Sequence, residues 1–110
     1  MMRTVVETPE FLGRSEKVGI SAAVRSELVT RLAIDPRAGV ALGGGLWKIR
    51  VARPGGGKSG GWRVMYFYRR DTLPIFMLTA FGKNERANLS RAELTDLQHL
   101  CALIERTYGP

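Results

Sequence analysis

The first third of the chain has a pattern of apolar and polar positions that predicts one strand and two helices. Residues 2–8, MRTVVET, have the β-branched composition of a short strand. Thr8 can cap a helix that carries Pro9 at its first position. Ser21 can cap a second helix, which ends before Pro36. The apolar stripe of this second helix repeats at helical spacing, at Val24, Leu28 and Leu32.

The middle of the chain predicts three consecutive strands after an irregular segment, residues 36–45. Apolar and polar residues alternate from Leu46 to Val51, which is typical of a half-buried strand. The run from Trp62 to Arg69 is aromatic and β-branched, and it follows a glycine-rich loop as a hairpin partner would. A third apolar run extends from Pro74 to Phe81 and ends at a glycine.

A closing helix is predicted by the capping-box spacing of Ser90 and Glu93. Its apolar stripe consists of Leu94, Leu97, Cys101 and Ile104. The predicted order is β-α-α-β-β-β-α. This order indicates a compact single α+β domain over residues 1–110, with a mainly antiparallel sheet and the helices packed on one face.

Composition limits the kinds of chemistry that the chain can perform. The chain has 110 residues, of which 45% are hydrophobic, and it lacks both a long apolar run and the apolar core of a signal peptide. We therefore expect a cytoplasmic protein without a membrane segment. One cysteine and one histidine cannot close a zinc site, so no metal or other cofactor is expected.

The net charge of +7 points to a polyanionic partner such as nucleic acid or the ribosome. The distribution of charge strengthens this inference, because the segment from Pro36 to Arg70 contains eight basic residues and neither Asp nor Glu. A stretch with a single sign of charge is typical of an interaction surface. A solvated basic face is the alternative interpretation.

The stretch ARPGGGKSGG, Ala52 to Gly61, matches the relaxed pattern of a phosphate-binding loop. Such a loop needs a helix directly after it, so that backbone N–H groups converge on the phosphates. Here a strand begins at Trp62 instead, which argues against nucleotide binding. The loop is better interpreted as the tip of a long hairpin that offers Lys58 to RNA.

The predicted hairpin brings cations together on one face. Lys48 and Arg50 share a face of their strand, and Arg63 can lie across from them on the next strand. Three neighbouring cations repel one another unless an anion joins them, and a row of phosphates is the natural anion. Lys83, after the third strand of this region, would add a cation at the rim of the cluster.

No paired carboxylates and no nucleophile–histidine arrangement accompany this cluster of cations. Any catalysis therefore depends on cations acting on RNA, whose 2′-hydroxyl can attack the adjacent phosphate.

Three segments carry a family resemblance: ETPEF, GGGLWKIRVARPGGGKSGGWRVMYFYRR and LTAFGKNERANLSRAEL. With them the chain resembles the RelE/ParE toxin superfamily, in particular the HigB-like branch of RelE toxins. The resemblance implies a RelE-like fold and a type II toxin that enters the ribosome and cleaves mRNA without a metal ion. It also implies that the catalytic residues are Lys48, Arg50, Arg63 and Lys83.

Further contacts to RNA or the ribosome are expected from Arg53, Lys58, Asn84 and Arg86. The partners implied by the resemblance are the ribosome, mRNA and a cognate antitoxin with a helix-turn-helix domain, so that operator DNA is reached only through the antitoxin. Two departures from the best-known RelE members are Asn84 in place of an arginine and Leu89-Ser90 in place of a tyrosine. They keep open the alternative of a degenerate toxin that only binds its antitoxin. A gyrase-poisoning toxin like ParE is a separate alternative, which would not require the set of Lys48, Arg50 and Arg63.

Overall fold

The computed structural model describes residues 2–55, 60–86 and 88–109. All seven predicted elements are present, and one further strand lies among them. The elements in chain order are β1 (Val5–Glu7), α1 (Pro9–Val18), α2 (Ala22–Ile34), β2 (Val40–Gly43), β3 (Leu46–Val51), β4 (Trp62–Phe67), β5 (Ile75–Gly82) and α3 (Arg91–Tyr108).

The three helices begin at the predicted caps. The hydroxyl of Thr8 accepts a hydrogen bond from the N–H of Phe11, and the hydroxyl of Ser21 accepts one from Val24, both at 3.2 Å. Ser90 forms a full capping box, because its hydroxyl accepts from the N–H of Glu93 and the Glu93 carboxylate accepts from the N–H of Ser90. These bonds satisfy backbone donors that the first helical turn leaves without partners.

The strands form one five-stranded sheet in the order β1-β5-β4-β3-β2. β1 pairs with β5 in parallel, and all the other neighbours are antiparallel. This arrangement confirms the predicted α+β class and the mainly antiparallel sheet. β4 is the central strand, so its backbone is hydrogen-bonded on both sides.

The segment predicted to be irregular contains the edge strand β2, which corrects the predicted element order. Val40 lies opposite Lys48 and Ala41 lies opposite Trp47. The strand has only four residues and merges into a glycine run, so its sequence lacks the alternation that marks a longer strand. Gly43, Gly44 and Gly45 all have positive φ values, which suits the tight return into β3.

The helices cover both faces of the sheet, so the prediction that they pack on one face was wrong. Phe11 of α1 and Leu28 of α2 belong to one core cluster, whereas Cys101 of α3 belongs to a second. The physical reason lies in β4 and β5, which are buried at nearly every position. A strand that is apolar on both sides needs a covering layer on each. None of the helices that the structure describes is long and apolar enough to span a membrane.

Candidate functional site

Two of the predicted site arginines form a cross-strand pair. Arg50 of β3 lies directly opposite Arg63 of β4. Residues in such a pair have Cβ atoms about 5 Å apart, so the two cations destabilise each other in the absence of an anion. Both lie on the sheet face that α3 covers, because their neighbours Ile49 and Val64 pack into the opposite core cluster.

Lys48 and Arg63 line the same small cleft, between the sheet and the start of α3. Its volume is about 110 Å³. Apart from these two cations and one amide, its walls are apolar. The remaining lining residues are Leu42, Met65, Phe81, Asn88, Leu89 and Leu94. A larger groove of about 600 Å³ lies between α1, β5 and α3, but none of the predicted catalytic residues lines it, so we place the candidate site at the smaller cleft.

The guanidinium of Arg63 has a nitrogen without a partner. Its Nη1 atom is buried and makes no hydrogen bond to any residue that the structure describes. Leaving a buried charged donor unsatisfied costs free energy. Basic residues other than the four predicted catalytic cations, Lys48, Arg50, Arg63 and Lys83, form the ion pairs seen among residues 2–55, 60–86 and 88–109. The four predicted cations are therefore not neutralised by carboxylates within this described part.

Lys83 lies one residue beyond the end of β5, where it is exposed. Its backbone N–H donates to the carbonyl of Gly61 at 2.9 Å, which holds it beside the beginning of β4. The turn that carries Lys83 is closed by Glu85, whose carboxylate accepts hydrogen bonds from the N–H of Gly82 and from Arg14. The backbone N–H of Gly82, followed by the charge of Arg14, holds the pKa of Glu85 below its usual value.

Two of the residues predicted to contact RNA are placed elsewhere. The guanidinium of Arg53 stacks over the ring of Trp62, 4.9 Å from its centroid, and Nε donates to the carbonyl of Gly60 at 2.6 Å. Trp62 belongs to the core under α1 and α2, so Arg53 lies on the opposite side of the sheet from Arg63. Asn84 shares a separate polar depression with Arg53 and Lys17.

Arg86 lies closer to the cleft but has a partner. Its guanidinium donates to the Glu93 carboxylate at 2.7 Å and lies over the ring of Phe81, which lines the cleft. Its charge is therefore partly offset. Lys58, the predicted RNA contact at the tip of the hairpin, lies outside the described residues.

The apolar lining and Asn88 were not anticipated from the sequence. Leu42 lies on the edge strand that sequence patterns missed, so its proximity to Lys48 could not be inferred. Leu94 was assigned only to the buried stripe of the closing helix. For Asn88, the available signal was its position two residues before the capping serine of α3, which fixes it near the start of that helix.

The fold and the cation set define a small α+β protein with a cationic cleft between its sheet and its last helix. A solved structure with a similar fold is that of an E. coli toxin RelE variant with two arginine-to-alanine substitutions, in the free state. The match has a TM-score of 0.54 and 16% sequence identity, and it covers 77% of this chain and 87% of that one. At this identity the likeness establishes the fold.

The family is established by the sequence model for the RelE toxin of the RelE / RelB toxin-antitoxin system, which matches residues 14–108. The chain belongs to the RelE toxin family. It is therefore a toxin of a toxin–antitoxin system, and the family implies a cognate antitoxin as its partner.

Proposed function

We propose that this toxin is a ribosome-dependent mRNA endonuclease of the HigB-like branch, and that it inhibits translation by cutting mRNA without a metal ion. The observation that carries the proposal is the state of Arg63. It shares a cleft with Lys48, lies opposite Arg50, and has a buried Nη1 atom without a hydrogen-bond partner in the described chain. A phosphate group is the anion that such a set of donors fits best.

The chemistry requires little from the protein beyond charge and position. The 2′-hydroxyl of the RNA attacks the adjacent phosphorus, a new P–O2′ bond forms, and the bond to the 5′-oxygen of the next nucleotide breaks. Arg63 stabilises the negative charge that develops on the phosphate oxygens. Lys48, in the same cleft, is suited to move a proton at the reacting oxygens, while Arg50 and Lys83 hold the flanking backbone.

The remaining predicted contacts fit an extended polyanion rather than a second catalytic centre. Arg53 and Asn84 lie on the far side of the hairpin from the cleft. We propose that they, together with Lys58 and Arg86, contact ribosomal RNA or the mRNA strand on either side of the cut. Contacts of this kind contribute affinity that falls as the salt concentration rises.

We further propose that the cognate antitoxin carries a helix-turn-helix domain and blocks the cationic cleft. The toxin would then reach operator DNA only through the antitoxin. This inhibition requires no chemistry, since covering Arg63 excludes the mRNA. Both proposed partners, the antitoxin and the ribosome, imply that the toxin acts in the cytoplasm.

The test is inducible expression of the wild type and of Arg63→Ala, with the 5′ ends of cellular mRNA mapped on translating ribosomes. We expect the wild type to arrest growth and to produce codon-associated cuts. Removal of one charge-stabilising donor should reduce cleavage by about 10²-fold or more. The matched control is Arg106→Ala, which removes an exposed arginine from the last turn of α3.

Two outcomes would contradict the proposal. Growth arrest without cleaved mRNA, accompanied by a loss of DNA supercoiling activity in a gyrase assay, would indicate a gyrase poison instead. Full toxicity of a folded Arg63→Ala variant would show that the catalytic centre lies elsewhere. Circular dichroism of both variants establishes that each is folded.

A further inference from the structure

The structure has a second cationic depression, whose lining shares no residue with the candidate catalytic cleft. It lies between α2 and the end of β3 and has a volume of about 420 Å³. Three arginines line it: Arg31 belongs to α2, Arg50 to β3 and Arg53 to the segment that follows β3. The other lining residues are apolar except for Glu27. Three separate parts of the chain thus bring one cation each to the same depression.

The short length of β2 explains how Arg50 reaches this depression. β2 pairs with β3 as far as Lys48, so it leaves the strand edge from Ile49 to Val51 uncovered. Lys48 and Arg50 start from the same face of β3, but Lys48 lines the candidate catalytic cleft, whereas Arg50 lines the depression beside α2. The long apolar stem of an arginine can lie along such an open edge while its charged end stays in water. The structure therefore separates two cations that the alternation of the strand groups together.

The depression carries an excess of positive charge. Three arginines against one glutamate give its lining a net charge of +2. Arg31, Arg50 and Arg53 take part in none of the ion pairs found among residues 2–55, 60–86 and 88–109. A concave surface lined by one sign of charge concentrates the electric field and attracts ions of the opposite sign. The ligand that suits this depression best is therefore an anion.

We propose that Arg31, Arg50 and Arg53 form a second phosphate-binding site, which takes two or more linked phosphate groups of an RNA strand or of a free nucleotide. A planar guanidinium group donates two parallel hydrogen bonds to a phosphate, which the ammonium group of lysine cannot do. Sites for small molecules have volumes of about 300–1,000 Å³, so a depression of about 420 Å³ has room for more than one phosphate group. Arg50, which the family resemblance implies to be catalytic, then acts in binding at this separate site.

Arg53 is already held in position for such a ligand. Its guanidinium stacks on the ring of Trp62, 4.9 Å from the centroid, and its Nε donates to the carbonyl of Gly60 at 2.6 Å. A guanidinium has several N–H donors and this bond uses one, so the terminal nitrogens can still donate to a phosphate. Because the side chain is ordered before the anion binds, less conformational entropy is lost on binding.

The experiment measures the binding of inorganic pyrophosphate by isothermal titration calorimetry at low salt. The wild type is compared with Arg31→Gln and Arg50→Gln, each of which removes one guanidinium from the depression. We expect each variant to bind pyrophosphate about tenfold more weakly, because each loses hydrogen bonds between a cation and the phosphate. The matched control is Arg106→Gln, which removes an exposed arginine outside the depression and should bind as the wild type does. Circular dichroism establishes that all the variants are folded.

A second probe distinguishes the two sources of linked phosphates. A 2′-O-methylated oligoribonucleotide lacks the attacking hydroxyl, so it binds without being cut. If binding that depends on Arg31 is tighter for the oligonucleotide than for pyrophosphate, the ligand is an RNA strand. If it is no tighter, the ligand is a free nucleotide that carries a diphosphate.

Three results would overturn the second phosphate site. The first is that neither probe binds the wild type. The second is that Arg31→Gln or Arg50→Gln binds both probes as tightly as the wild type. The third is that Arg63→Ala abolishes all binding, because the phosphates would then lie in the catalytic cleft alone. The measurement uses neither ribosomes nor cleavage, so its result is independent of the proposed nuclease activity.

Discussion

The hydroxyl of Tyr66 joins the central strand β4 to the segment before the edge strand, and its removal gives the sharpest test of the fold. Tyr66 is fully buried, and its hydroxyl donates to the carbonyl of Pro36 at 2.7 Å. The same oxygen accepts a hydrogen bond from the N–H of Gly39 at 3.1 Å. Burial raises the pKa of Tyr66 to about 12, so the hydroxyl remains a donor at any ordinary pH. Gly39 directly precedes β2, which lies beside Lys48.

Tyr66→Phe removes both hydrogen bonds and leaves the ring in place, so that no ring-sized cavity forms. A neutral hydrogen bond contributes about 1 kcal/mol net, and a buried polar group left without a partner costs about 1–3 kcal/mol. Here two backbone groups lose their partner. We therefore expect the free energy of unfolding to fall by about 2–3 kcal/mol. That is a large fraction of the roughly 5–15 kcal/mol that stabilises a typical domain.

Urea unfolding followed by circular dichroism measures this loss. With a slope of about 1–3 kcal/mol per molar urea, the midpoint should fall by roughly 1 M. The matched control is Tyr68→Phe. The Tyr68 hydroxyl donates to Asp71, but Asp71 is exposed and also accepts from Arg3, so the control should cost less than about 1 kcal/mol. A loss for Tyr66→Phe no larger than that of the control would refute the reasoning.

Two further predictions concern α3. The side chain of Cys101 is fully buried, and burial raises the pKa of its thiol to about 12. Iodoacetamide at pH 8 should therefore label Cys101 only after unfolding. Labelling of the native protein at the rate of a free thiol would contradict this placement. Ser90→Ala removes the hydroxyl of the capping box and should lower the free energy of unfolding by about 1 kcal/mol in the same urea assay, and a change within experimental error would show that the cap contributes nothing.

The helices and the longer strands could be predicted from the sequence because each has a local signal. Thr8, Ser21 and Ser90 are side chains that cap helices, and all three caps were found where expected. The alternation in LWKIRV places Lys48 and Arg50 on one face whatever the rest of the fold is. The pairing of Arg50 with Arg63 was also within reach, because a hairpin constrains the register of its two strands.

The errors concern relations between elements that are distant in the chain. β2 is too short to show periodicity, and the segment before it is held by the hydroxyl of Tyr66, which is distant in the chain. α3 covers the second face of the sheet because β4 and β5 are buried on both faces. Their continuous apolar runs indicate such burial in the sequence, but the predicted fold did not take it into account. The position of Arg53, which was predicted to contact RNA or the ribosome, was equally out of reach of the sequence: its guanidinium stacks on Trp62, on the opposite side of the sheet from Arg63.

The position of Arg63 in the central strand explains how the protein tolerates a buried Nη1 atom that has no hydrogen-bond partner among the described residues. β4 is paired with strands on both sides, so its backbone cannot shift to bring Arg63 into solvent. Val64 and Tyr66 anchor the same strand in the core under α1 and α2, which contributes the stabilising apolar contacts. The cost of the buried Nη1 is thus offset by packing on the opposite face of the sheet. A strand fixed in this way holds Arg63 in position, which the proposed site for phosphate groups requires.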